Sequence, residues 1–219
     1  MGNQRGRHVA PPSRVIAAVL LLCGLLALSV AACGFAIARG DARPATPLGK
    51  PSFAPVPPGK RAPVPSATAI QAAPMPVSLV IPAIGISTSL IQLGLTASGQ
   101  LQVPASTAVA GWYTGSPRPG ATGAAVIAGH IDSYQGPGVF FRLRLMRPGQ
   151  RVYVRRADGS VAVFQVTAVH TYLKSQFPTD GVYGATPNSQ LRLITCGGTF
   201  DPATGHYLSN VIVYATLVG

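Results

Sequence analysis

The chain has 219 residues, 47% of them hydrophobic and 10% charged, with 17 Lys and Arg against five acids, all aspartate. Disorder throughout is excluded, because disordered chains combine low hydrophobicity with high charge; the length suits one folded domain with appendages. The net charge of +12 raises nucleic acid or an anionic membrane surface as partners. Residues 1–75 hold eight basic residues and Asp41, whereas residues 76–219 hold nine basic residues and four aspartates, so more than half the excess lies outside the expected core. Arg142, Arg144, Arg155 and Arg156 lack an interleaved aromatic recognition motif, and no nucleic-acid partner is expected.

Residues 1–14 form a basic tail containing Arg5, Arg7 and Arg14, and residues 15–38 carry no charge until Arg39. As a helix those 24 residues reach ~36 Å, against a hydrocarbon core of ~30 Å. The flanking arginines place the N-terminus in the cytoplasm and the remainder outside. The expectation is a single-pass plasma-membrane anchor with an extracellular domain. A cleaved secretory signal is the rival. Leu28-Ser29-Val30-Ala31-Ala32-Cys33-Gly34 also resembles a bacterial lipobox, which would leave a lipid-modified Cys33.

Residues 39–76 form a linker, with ten prolines between 40 and 76. That composition favours extended polyproline II and a semi-rigid spacer. From residue 77 to 219 short β-rich runs alternate with turn signals: 78–81, 124–128, 151–154, 161–166, 191–195 and 211–214. Asp158-Gly159 between two alternating runs predicts a hairpin. No long amphipathic helix and no fixed-period repeat is present, so the domain reads as an all-β barrel or sandwich.

Chemistry concentrates on two residues. Cys196 closes the run Leu191-Arg192-Leu193-Ile194-Thr195 and precedes Gly197-Gly198, which reads as a strand end with room for close backbone approach. Cys23 and Cys33 belong to the apolar N-terminal segment, so Cys196 has no disulfide partner within the domain. An unpaired thiol in an exported domain is either a small buried hydrophobe or a nucleophile. A nucleophilic thiol needs a base, and His130, after Ala124-Ala125-Val126-Ile127-Ala128-Gly129, stands at a second strand exit. His170 and His206 compete for that role. A zinc site from Cys196, His130, Asp132 and His206 is disfavoured, because only His130 and Asp132 are closely spaced.

These residues resemble the sortases, cysteine transpeptidases of Gram-positive surfaces. Leu193-Ile194-Thr195-Cys196 is similar to their Leu-x-Thr-Cys motif, and Gly129-His130-Ile131-Asp132 to their Gly-His-x-Asp segment. Ile81-Pro82-Ala83-Ile84-Gly85-Ile86, Gly111-Trp112-Tyr113 and Leu145-Met146-Arg147-Pro148-Gly149-Gln150 fit in the same order, and the resemblance spans roughly residues 78–218. Cys196-Gly197-Gly198 looks most like the actinobacterial class F branch, with class E the nearest rival. The resemblance implies a closed β-barrel of about eight strands with short helices. It implies attack by Cys196 on the Thr–Gly bond of an LPXTG-type sorting signal, a thioester, and transfer to an amine of a peptidoglycan precursor or a pilin lysine. His130 would act as acid and base, with no cofactor.

Sortases normally place an arginine on the strand after the cysteine. Here no arginine follows Cys196, and the corresponding region reads His206-Tyr207-Leu208-Ser209-Asn210. Strand alternation puts Arg192 on the face of Cys196, which makes it the substitute candidate. The amides of Gly197-Gly198, or Asn210, are alternative oxyanion donors. If none serves, the domain is a weak or inactive sortase-like surface binding module.

Overall fold

The computed structural model describes residues 73–219; the expected tail and membrane segment, and nearly all of the proline-rich linker, lie outside the described residues. The described part is all-β. Ten strands run in chain order: β1 (Pro76–Ile81), β2 (Ile86–Leu93), β3 (Ala110–Tyr113), β4 (Gly123–Gly129), β5 (Asp132–Ser133), β6 (Gly136–Pro137), β7 (Arg151–Arg156), β8 (Val161–Leu173), β9 (Ser189–Asp201) and β10 (His206–Leu217). Eight of them close a barrel in the order β1-β2-β3-β4-β9-β10-β8-β7, while β5 and β6 form a separate ribbon. The helices are short, as expected: three 3-10 turns and α1 (Thr179–Tyr183). Among the described residues no helix is long and apolar enough to cross a membrane.

Local chemistry explains the turns. Gly85 ends the first 3-10 turn in the left-handed region (φ 69°) and donates its N–H to the Pro82 carbonyl, which reverses the chain into β2. The hairpin expected at Asp158-Gly159 joins β7 to β8. Gly159 takes φ 85°, and the Asp158 carboxylate accepts from the Ser160 N–H at 3.0 Å. The side-chain bond from Ser160 and the charge of Arg156 help hold the exposed Asp158 carboxyl below its usual range.

β4 and β9 pair in parallel. Odd-numbered residues of both strands (Ala125, Ile127, Leu191, Leu193) point into the barrel with Phe140, Val152 and Phe164. Even-numbered residues (Val126, Ala128, Ile194, Cys196) point outward into a second cluster with Val182 of α1 and Ile212 of β10. Every residue of β4 is therefore buried. That accounts for its unbroken apolar sequence, the pattern of a strand covered on both faces. Two barrel strands, and the short β5 and β6, escape the sequence reading. The Ser87-Thr88-Ser89 stretch of β2 masks its few buried positions, and β3 has only four residues.

Candidate functional site

The site lies on the outer wall where β4 and β9 part. Their ladder runs from Gly123–Ser189 to Ala128–Ile194. Beyond the last pair, β9 continues through Cys196, whereas β4 ends at Gly129, one residue before His130. At Gly129 the first chain leaves the sheet: the His130 carbonyl accepts from the Phe140 N–H at 2.9 Å and the Ile131 carbonyl from Gly138 at 2.8 Å. His130 and Cys196 line one groove. They are only 9% and 4% exposed, so a reactant must enter that groove to reach them.

One sequence expectation is corrected. Cys196 is not at a strand end but in the middle of β9, which continues to Asp201. Only the β4 partner stops; β10 goes on pairing, with Asn210 opposite Cys196. Gly198 (φ 75°) and the register shift between Tyr207 and Ser209 bend this hairpin over the groove.

The imidazole is oriented by a backbone oxygen. His130 Nε2 lies 2.6 Å from the Pro104 carbonyl oxygen. A carbonyl only accepts, so Nε2 carries the proton and Nδ1 holds the lone pair of the neutral ring. Burial pushes the Cys196 thiol up; the Lys174 ammonium, also in the groove, draws it down and Asp132 raises it. The resting thiol is thus protonated at neutral pH.

A strap crosses the groove. The Tyr207 hydroxyl donates to the Asp132 carboxylate, and the Tyr207 ring packs on Phe200 with centroids 5.3 Å apart. Burial, then the bond and charge of Asp132, pushes the Tyr207 phenol up to about 12. Among the described residues, no three His, Cys, Asp or Glu side chains are placed to hold a metal ion.

A protein-family model for the sortase domain matches residues 79–218, more than half of the chain. The chain belongs to the sortase family. Solved structures share the fold. A lid mutant of sortase A from Corynebacterium diphtheriae is 24% identical over 68% of this chain and 74% of that one, with a TM-score of 0.52. Sortase A from the same organism is 19% identical over 94% and 86%, with a TM-score of 0.52. Sortase C1 from Streptococcus agalactiae is 18% identical over 65% and 67%, with a TM-score of 0.52. Identities this low speak for the fold alone. No curated protein matches the chain by sequence.

Within this sortase, Arg192 stands apart from the groove. It shares the outward face with Cys196, as alternation requires, but lies ~13 Å away along β9. Its guanidinium donates to the Gly181 carbonyl at 3.2 Å, the Leu191 carbonyl at 3.3 Å and Gln190 Oε1 at 2.6 Å. It also covers the Tyr214 ring at 4.6 Å. These contacts tie α1 to the barrel wall, and Arg192 does not line the groove.

His206 lines the groove at the start of β10, whereas His170 sits on β8 between Tyr172 and Tyr214. Sequence reasoning missed Lys174, Tyr207 and the exposed rim residue Tyr134. Lys174 follows β8 in a 3-10 turn and Tyr134 lies between β5 and β6. Neither position carries a sequence signal of its own; only the folding of those segments against β9 brings them to the thiol.

Proposed function

We propose that this sortase is a membrane-anchored extracellular transpeptidase in which Cys196 is the nucleophile and His130 the general acid and base. The single observation that supports this is that a buried thiol and an oriented imidazole line one groove. The substrate is an LPXTG-type sorting signal and the acceptor an amine, from a peptidoglycan precursor or a pilin lysine. The Cys196-Gly197-Gly198 sequel supports the class F branch over class E. The apolar segment at 15–38 and its arginines support the anchor.

The chemistry balances without a cofactor. The thiol proton passes to His130 Nδ1 as Sγ attacks the threonine carbonyl carbon and the C=O electron pair moves to oxygen. Collapse breaks the C–N bond, and the imidazolium gives its proton to the departing glycine amine. An acyl thioester on Cys196 remains. Nδ1 then takes a proton from the incoming amine, the new amide forms, and the thiolate leaves and is reprotonated. The Pro104 carbonyl steadies the imidazolium throughout.

The test is a mass measurement. The full chain is incubated with Leu-Pro-x-Thr-Gly peptides, with and without an amine, and the mass at Cys196 is followed. The expected result is an acyl adduct that the amine discharges and that Cys196→Ala lacks. Peptide binding without an adduct for any motif would instead establish a surface binding module.

A further inference from the structure

We propose that the Asn210 carboxamide is the oxyanion-stabilising group, its Nδ2–H donating to the substrate carbonyl oxygen as Cys196 attacks; this rests on the acyl-transfer reading above. In the β9–β10 ladder Asn210 is the direct partner of Cys196. Directly opposed residues share a face, with Cβ atoms ~5 Å apart. The next pairs along that face are Ile212 with Ile194 and Tyr214 with Arg192. An aliphatic side chain is thus accommodated one step away, yet at the thiol the chain places a carboxamide.

That carboxamide is fully buried, and neither its Nδ2 nor its Oδ1 has a hydrogen-bond partner. Buried polar groups without partners are rare, because desolvation is then uncompensated. Asn210 lies behind the groove lining, so a peptide acyl group held against Cys196 would have to uncover it, and would then offer both missing partners, a carbonyl oxygen for Nδ2 and an N–H for Oδ1. During attack the S–C bond forms and the C=O pair localises on oxygen, so a fixed donor there gains most at the transition state. Of the other candidates, Arg192 is engaged with Gly181 and Gln190 outside the groove, whereas Lys174 lines the groove and is told apart from Asn210 by the variants below.

The experiment uses the full chain and a sorting peptide that acylates it. Asn210→Leu preserves bulk and suits the aliphatic face; Asn210→Ala is the second variant. The expected result is a fall in kcat of about 10²–10³-fold. Peptide affinity on a Cys196→Ala background, and alkylation of Cys196 by iodoacetamide, stay within about threefold, because neither develops an oxyanion. The infrared carbonyl stretch of a ¹³C-labelled thioester rises in both variants as its donor is lost. Retention of kcat within threefold and an unmoved carbonyl frequency overturns the proposal, as does a Lys174→Met variant that alone reproduces the losses. Should Asn210→Leu not fold, Asn210→Ala decides by the same readings. If the wild-type chain forms no thioester with any peptide, the transpeptidase reading itself falls; if it acylates normally and the Asn210 variants match it, only the role of Asn210 falls.

Discussion

The Tyr207 hydroxyl donates to the Asp132 carboxylate across 75 positions of sequence, joining the β9–β10 hairpin to the segment that carries His130. The bond ties β10, the partner of the thiol-bearing β9, to β5, which begins two residues after His130. Tyr207→Phe is expected to cost about 1.5–3 kcal/mol, the range for a hydrogen bond to a charged group. It should also speed alkylation of Cys196 several-fold by loosening the strap. Urea unfolding and iodoacetamide kinetics measure both; an unchanged alkylation rate would show that the strap does not control access.

The burial of Tyr207, with this bond, has a pH signature. The folded Tyr207 phenol is pushed up to about 12 from an ordinary value of 10. Its neutral form is favoured by folding, so the contribution is complete below about pH 10 and is lost as pH rises from 10 towards 12. Stability measured over that window should fall more steeply in wild type than in Tyr207→Phe.

Burial holds the Cys196 thiol above its usual range, and the counteracting ammonium of Lys174 is the weaker influence. Well below that pKa the thiolate fraction grows about tenfold per pH unit. Alkylation is therefore expected to keep rising through pH 8 without a plateau, and Lys174→Met should shift the curve to higher pH. A plateau below pH 8 would contradict the burial argument.

Gly138 backs directly onto His130. A Cβ at position 138 would lie 2.5 Å from the His130 carbonyl oxygen and 2.8 Å from its carbonyl carbon. Backbone cannot give way as a flexible side chain does, so Gly138→Ala must displace His130. Peptide turnover is expected to drop by about 10²-fold, since misplacement of ~1 Å costs that much. Cys196 should remain alkylatable. Turnover within threefold of wild type would show that His130 tolerates the shift.

Arg192 is expected to matter for stability and not for chemistry. Arg192→Leu leaves the Gly181 carbonyl and Gln190 without their donor and removes the cover from Tyr214. The expected loss is about 2–4 kcal/mol, lowering Tm by roughly 5–10 °C. Turnover per folded molecule should change less than threefold. A hundredfold loss with an unaltered Tm would restore Arg192 to the reaction.

Much of this was readable along the chain. The strand runs and the Asp158-Gly159 hairpin reflect local preferences: side-chain alternation, and a glycine at positive φ. The Thr195-Cys196 and Gly129-His130 segments are recognisable because each sets a small residue beside a reactive group within a few positions, although only Gly129-His130 is at a strand end.

Other features belong to the tertiary structure alone. That His130, and not His170, lines the groove with Cys196 depends on how β4 and β9 pair, because strand register is a contact between segments and not a property of either. The outward face that Arg192 shares with Cys196 follows from alternation in the sequence. Only the packing of α1 draws its guanidinium to Gly181, and only the β9–β10 register sets Asn210 beside the thiol. Sequence fixes which groups a strand presents on each face; desolvation and the bonds those groups find, which give them their chemistry, depend on what the rest of the chain lays over that face.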